Sequence, residues 1–468
     1  MKRLVYCLDG TTNEYDSDYP TNVVMLHKSV ADRDRNGVAQ TAYYNAGVGT
    51  ERGEKIAGMA VGFGLMRNVL QAYDHLCSHY EPGDEIYIFG FSRGAYTARS
   101  FAGLIYHCSI ATAAGEDRLE RARDFYESRL TRTDEGLEVL KTWRAENAPD
   151  LCVDQDDLAW RQACGRAGSA APRLLRIRYL GVWDTVKTLG LIPSKYDWHD
   201  HSLSPAIEAG RHAVALDERR TKFAATLWDS SENGPTDAEG EPLIQQKWFP
   251  GDHGSVGGGG PERGLSDAAF QWVLEGARKQ GLEIRREDGA QAFDIRPKLL
   301  APLRNAPLPK GFKALANRVI GWFGQADRAG PATLDAVSHS ARVRYHAPAP
   351  YLPEQDRYRP GSMKRVMAAL DVENPPYDET DYRALYEDAN EQAMAEDEAK
   401  LVTVDGRRYW VHIVRKGDTL YGVAKQYLND GERYPEIAQA NEATIADPDQ
   451  IYIGQRILVP FEMSSASA

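Results

Sequence analysis

The first 345 or so residues of the chain predict an α/β fold, a mostly parallel sheet flanked by helices, and three observations carry that expectation. Short apolar runs rich in β-branched and aromatic residues recur at 3–9 (RLVYCLD), 84–91 (DEIYIFGF), 174–184 (LLRIRYLGVWD) and 223–229 (FAATLWD). Continuous runs of that length suit strands buried on both faces. Amphipathic segments at 56–80 and 265–279 alternate with them. Strands that alternate with helices require crossover connections, and these lay strands parallel with helices on both faces.

Beyond that region the composition shifts twice. Residues 346–400 combine a proline-rich stretch (HAPAPYLPEQDRYRP) with an acidic one (ALYEDANEQAMAEDEAK), and they predict a connector. Residues 401–462 carry their own strand, helix and turn signals and predict a second, small domain; 463–468 read as a tail. Within the first region, the charged segment 112–172 predicts a helical insertion placed to act as a lid over a site. The segment 305–327 holds Phe312, Leu315, Ile320, Trp322 and Phe323 beside Lys310, Lys313 and Arg318, a mixture suited to a helix lying in a membrane interface.

Charge and cysteine usage exclude several classes. A net charge of −12 over 468 residues argues against nucleic acid as a partner. Hydrophobic residues at 42% with charged residues at 26% supply a core and exclude wholesale disorder. The five cysteines are scattered, so neither a disulfide framework nor a zinc site is expected. The opening MKRLVYCLDG has too short an apolar run for a signal peptide, and no stretch reaches the ~18 apolar residues of a membrane span. The expected location is the cytoplasm of the producing cell, with delivery to the target-cell periplasm by a route other than general secretion.

The stretch FGFSRGAYTARS (89–100) places Ser92 between Gly90 and Gly94, after an apolar strand and before a helix. That order is the setting of a nucleophile elbow, where small flanking residues permit a sharp turn that projects a hydroxyl. Arg93 follows, so its N–H is a candidate oxyanion donor at a helix N-terminus, while its side chain suits either a salt bridge or an anionic substrate group. A serine needs a base, and the base an orienting acid. Asp184 ends a buried strand and is the candidate acid. Two histidines after it, His253 and His339, are candidate bases; the glycine-rich loop WFPGDHGSVGGGG favours His253. The loop after the first strand, LDGTTN, offers Gly10 and Thr11 as further oxyanion donors, with Asp9 and Asn13 as supports. The same Asp-x-Thr-x-Asn oxygens suit a divalent cation such as calcium, although EF-hand spacing is absent. A triad mechanism by itself requires no cofactor.

The pieces LDGTTN, GDEIYIFGFSRGAYTAR, LGVWDTV, AVALDERRTKF, WFPGDHGSVGGGGPERGLSD and SHSARVR together resemble the type VI secretion phospholipase effectors of the Tle class, over roughly residues 1–345. The resemblance implies an α/β-hydrolase-like fold, a Ser92–Asp184–His253 triad, hydrolysis of acyl esters in glycerophospholipids, and an immunity protein as partner. One departure stands out: the family carries an acid two residues after the histidine, where this chain has Ser255, with Asp252 now preceding His253. The AVALDERRTKF piece is expected to be a helix carrying an ion network.

Residues 409–460 resemble a LysM domain through Gly417, Asp418, Thr419 and Leu420, Asn441, and Pro448, Asp449 and Ile451. That implies a βααβ unit binding N-acetylglucosamine polymers such as peptidoglycan; docking to a secretion-spike protein is the alternative. Two other function classes stay open at this level: an inactive hydrolase fold serving a LysM binding component, and a hydrolase of a non-lipid, cell-wall ester.

Overall fold

The computed structural model describes residues 1–10, 15–47, 58–113, 115–127, 133–166, 172–187, 203–229, 234–285, 295–303, 325–353, 356–378, 380–382, 384–385, 401–404, 407–414, 418–442, 445, 448, 451 and 456–461. They form two compact units, Met1–His346 with Arg359–Pro375, and Ala347–Tyr358 with Pro376–Ala468.

In the first unit, β1 (Arg3–Leu8), β2 (Gln40–Asn45), β3 (Glu85–Phe91), β6 (Ile177–Trp183), β7 (Gly210–Ala215) and β8 (Ile244–Phe249) form one parallel sheet in the order β2-β1-β3-β6-β7-β8. Alternation along each strand separates two cores. Leu4, Tyr6, Leu8, Ile86 and Ile88 face the core beneath α2 (Gly58–His79) and α3 (Arg93–Cys108). Val5, Cys7, Tyr87, Phe89 and Phe91 face the opposite core, with α1 (Asn22–Ser29) and α8 (Gly264–Lys279). Strands lined by apolar side chains on both faces cannot be solvated on either, so this sheet is central. Each such side chain, fully buried, stabilises the fold by about 1.5–3 kcal/mol.

The insertion expected at 112–172 is helical: α4 (Arg118–Glu127), α5 (Asp134–Asn147) and α6 (Gln155–Ala163), with the short parallel pair β4 (Leu151–Cys152) and β5 (Arg173–Leu174). Ala122, Phe125, Leu140 and Trp143 bury their apolar surface in the same core as α3. A fully buried Arg161–Asp157 pair, whose guanidinium also donates to the Ala148 and Leu151 carbonyls, fixes its far end.

The structure corrects several expectations. FAATLWD (223–229) is not a strand: a 3-10 turn, Thr221–Phe223, leads into a segment whose carbonyls at Thr226 and Leu227 accept from the Arg99 guanidinium. AVALDERRTKF is not a helix either; it begins as the end of β7 and continues as a loop. Its ion pairs are separate, Arg220 with Glu218 and Arg219 with Asp327. The connector expected over 346–400 is in part folded. Gly361–Met363 forms a 3-10 turn, Met367–Val372 is helical, and buried Met363, Val366 and Leu370 account for its ordering. The interfacial segment expected at 305–327 lies, apart from its last three residues, outside the described residues. Among the described residues, no helix is long and apolar enough to cross a membrane.

In the second unit, β9 (Leu401–Val404), β10 (Arg407–Ile413) and β11 (Arg456–Pro460) make an antiparallel sheet in the order β11-β10-β9. Helices Leu420–Leu428 and Tyr434–Ala440 pack on it through Leu420, Val423, Ile437, Ile457 and Val459. The predicted βααβ unit is present with one strand added at its start.

Two buried histidines make the first unit acid-sensitive. Burial pushes His107 down to about 4, aided by Arg144, and His212 down to about 3, so both are neutral in the fold. Unfolding restores the ordinary value of 6.5 and therefore takes up protons below it. Thermal stability is expected to be steady above about pH 6.5 and to fall progressively toward pH 4. Calorimetric scans at stepped pH check this, and His107→Gln should show a shallower fall than the parent.

Candidate active site

The chain turns from β3 into α3 at Ser92, and the corner is strained: Ser92 has φ 60° and ψ −124°. Such a backbone costs on the order of 1–3 kcal/mol and persists only where its surroundings hold it. Here Ser92 N–H donates to the Trp183 carbonyl at 3.0 Å, and the Ser92 carbonyl accepts from Tyr96 and Val186 N–H. The glycines are steric necessities. A Cβ at Gly90 would lie 2.4 Å from the Gly94 carbonyl oxygen, and one at Gly94 2.2 Å from that of Leu8. The elbow therefore presses onto the end of β1.

Asp184 follows β6 and is also strained, with φ 39°. Its N–H donates to the Ala213 carbonyl at 2.7 Å, and the next amide, Thr185 N–H, donates to His212 Nε2 at 3.2 Å. His212 Nδ1–H in turn donates to Gln246 Oε1 at 2.8 Å, which fixes the tautomer that leaves Nε2 an acceptor. His212 lies on β7 and buttresses the acid. The run HAVAL around it carried the strand signal.

His253 opens the short helix α7 (His253–Gly257), capped by Asp252 through Ser255 N–H. Its ring lies between Phe91 and Phe223, at centroid distances of 4.6 and 4.9 Å. Gly257 permits this, since a Cβ there would fall 1.9 Å from the Phe91 ring. The three side chains meet: His253 Nε2 lies 2.8 Å from Ser92 Oγ, and His253 Nδ1 2.6 Å from Asp184 Oδ2. A carboxylate only accepts, so Nδ1 carries the proton and Nε2 is free to accept the Ser92 hydroxyl. All three side chains are buried.

Sequence reasoning missed Arg328. Its guanidinium donates to Asp184 Oδ1 at 2.5 Å and Oδ2 at 3.0 Å, while the Ala215 N–H donates to Oδ1 at 2.9 Å. Burial by itself would push the Asp184 carboxyl up; Arg328 and the His253 hydrogen bond outweigh it and hold it well below the usual carboxylate range. Nothing in the surrounding FGQADRAG marked this arginine, because its partner is 144 positions away.

The remaining candidates are placed as follows. Arg93 is the first residue of α3, where a backbone N–H has no intrahelical acceptor. Burial lowers its guanidinium pKa, and among the described residues no carboxylate forms a salt bridge with it. Gly10 N–H is engaged by Asp9 Oδ1 at 2.6 Å, which removes it as an oxyanion donor in this arrangement. Thr11 and Asn13 lie outside the described residues. Asp9 is buried, and its Oδ2 accepts from Thr21 at 2.6 Å and Tyr44 at 3.0 Å. Among the described residues no three His, Cys, Asp or Glu side chains group as metal ligands. His339 starts the helix His339–His346, where burial, helped by Arg342 and Lys247, lowers its pKa. The place facing Ser92 is filled by His253.

In the second unit, Asp418 Oδ2 pairs with His412 Nε2 at 2.8 Å, and Thr419 Oγ1 caps the helix Leu420–Leu428 by accepting from Gly422 N–H. Leu420 is buried in the core of this unit, and Ile451, half-buried, packs against it. Pro448 is exposed; Gly417 and Asp449 lie outside the described residues.

A parallel six-stranded sheet that aligns serine, carboxylate and histidine in this chain order is α/β-hydrolase-like. Residues 2–276 match the family described as T6SS, phospholipase effector Tle1-like, catalytic domain, and the chain belongs to that family. Residues 412–460 match the LysM domain family. The uncharacterized protein YEL023C of Saccharomyces cerevisiae is 26% identical over 239 residues, 47% of this chain and 32% of that protein. The potassium binding protein Kbp of Escherichia coli is 33% identical over 70 residues, 15% of this chain and 46% of Kbp. The chain thus spans about a third and about half of the length of these relatives. Among solved structures, the Tle1 effector bound to the VgrG spike from the type 6 secretion system has a TM-score of 0.28 at 17% identity, covering 56% of this chain and 52% of that one. An uncharacterized protein from Pseudomonas aeruginosa has a TM-score of 0.34 at 16% identity, covering 97% and 75%.

Gly94→Ala is expected to lower the urea midpoint by the equivalent of about 3 kcal/mol or more, because the added Cβ meets backbone that cannot yield. Equilibrium urea unfolding followed by tryptophan fluorescence checks it.

Proposed function

We propose that the protein is a serine lipase that hydrolyses acyl esters of glycerophospholipids, acting as an antibacterial effector. The observation that carries the reading is the hydrogen-bond relay from Ser92 Oγ through His253 to Asp184, with links of 2.8 and 2.6 Å, in a chain of this family.

The relay performs acyl transfer in two balanced steps. Ser92 Oγ attacks the acyl carbonyl carbon as its proton passes to His253 Nε2. Asp184 stays ionised and stabilises the imidazolium that forms. The oxyanion is met by the Arg93 N–H at the start of α3, with a second donor supplied by the loop after β1. Collapse breaks the ester C–O bond, and His253 returns the proton to the departing glycerol oxygen. Water then attacks the acyl enzyme by the same relay in reverse and releases the fatty acid. The LysM unit tethers the enzyme, either to peptidoglycan or to the secretion spike; co-sedimentation with insoluble peptidoglycan and capture on immobilised spike protein separate the two.

The parent protein is expected to release fatty acid and lysolipid from mixed phospholipid vesicles, and Ser92→Ala to lose this by about 10³-fold or more while melting at a similar temperature. Mass spectrometry of both products, with and without added calcium, makes the measurement. A parent that cleaves soluble esters but leaves vesicles intact would point instead to a non-lipid ester. A parent silent on both would leave only the binding role.

A further inference from the structure

We propose that Arg328 is a positioning residue of this active site, which holds the Asp184 carboxylate in register and offsets the pull of that carboxylate on the His253 imidazole. The inference rests on the serine-hydrolase reading above.

The placement of Arg328 is built from several contacts. Gln325 forms an antiparallel bridge with Arg220, the Ala326 N–H donates to the Arg219 carbonyl at 2.8 Å, and Asp327 pairs with Arg219 at 3.0 Å. Just beyond, Gly330 has φ +70° and lies so close to Ser362 that a Cβ would fall 1.6 Å from the Ser362 carbonyl oxygen. The guanidinium that this path delivers is 6% exposed, donates to both Asp184 oxygens, and also donates to the Ala215 and Phe223 carbonyls. Phe223 is one wall of the His253 ring. Arg328 thus touches the acid directly and braces one face of the base.

Electrostatics then set the role. A lone buried carboxylate next to an imidazole stabilises the imidazolium and raises its proton affinity. A permanent cation on that carboxylate offsets the attraction. The other charges around the pair balance. Glu218, which accepts the His253 N–H at 3.4 Å, is neutralised by Arg220 at 2.6 Å. His212 is buried and neutral behind Asp184, and Arg99 beyond it is spent on two backbone carbonyls. Asp252 caps α7. Arg328 is the cation that contacts Asp184, and it lies outside the residues matched by the catalytic family, 2–276.

The test is the pH dependence of Ser92 labelling by a fluorophosphonate. In that reaction Oγ forms the O–P bond, fluoride leaves, and His253 takes the proton, whatever the natural ester. For the parent, the labelling rate follows the free base, and its fall on the acid side marks imidazole protonation. Arg328→Met is expected to move that acid limb up by about one pH unit and to lower the plateau about 10–100-fold. Arg328→Lys, which keeps the charge without the fork, is expected to leave the limb near its parental place with a plateau about 10-fold lower. A folded Arg328→Met whose limb is unmoved overturns the proposal, whether or not its plateau falls. Should Arg328→Met fail to fold by circular dichroism, Arg328→Lys decides: an unchanged plateau overturns the proposal, and a lowered plateau with an unmoved limb supports it. No labelling of Ser92 in the parent sinks the serine-hydrolase reading itself, an outcome distinct from these.

Discussion

The structure around the site depends on one buried negative charge. Asp184 is fully enclosed at the end of β6, and taking a carboxylate out of water costs several kcal/mol unless its oxygens are satisfied. Four hydrogen bonds satisfy them, from His253, the Ala215 N–H and both arms of Arg328. The backbone beneath has a positive φ that an aspartate rarely adopts, held by the β7 carbonyl of Ala213 and by His212. Because every donor comes from a different stretch of chain, the acid ties the sheet, the α7 loop and the segment after residue 324 to one point.

The nucleophile is held by a second constraint, steric rather than electrostatic. Ser92 occupies a disfavoured conformation because α3 must start within contact of the β1 carbonyls, and only glycine at 90 and 94 allows that approach. The two constraints meet directly. Ser92 N–H bonds the Trp183 carbonyl, immediately before Asp184, while the Ser92 carbonyl accepts from Val186, two residues after it. Serine and acid are therefore fixed to each other through backbone, and His253 is the one member that reaches the pair from outside, seated between two aromatic rings.

How much of this was legible follows from what each residue had to satisfy locally. The elbow could be read because glycine, serine and glycine obey a rule within five positions. Asp184 could be read because it ends an apolar run. The strands at 3–8, 85–91 and 177–183 announced themselves by apolar continuity, whereas β2, with QTAYYN, and β8, with IQQKWF, mix polar residues into half-buried positions and gave no such signal. FAATLWD misled for the opposite reason: its apolar residues serve the walls behind the site, and its backbone oxygens bond an arginine instead of a neighbouring strand. Arg328 had no local signature because its need is set by a carboxylate that only the fold brings near. Leu420 carried the LysM pattern as a buried core residue of that unit and Ile451 as a half-buried one packed against it, a distinction that a motif cannot make without burial.

The departure from the family pattern after the base can be weighed in the same terms. At position 255 the family's acid is replaced by a buried serine whose hydroxyl donates to the Leu303 carbonyl at 2.8 Å and lies 3.0 Å from Asp252 Oδ1. That side chain points at a backbone oxygen and at the cap, and the Ser92–His253 bond passes through neither. Asp252 accepts the Ser255 N–H in the first turn of α7, where negative charge is favoured. Moving the acid from one side of the histidine to the other therefore keeps a charge at the start of the helix that carries His253, and it leaves the three-residue relay intact.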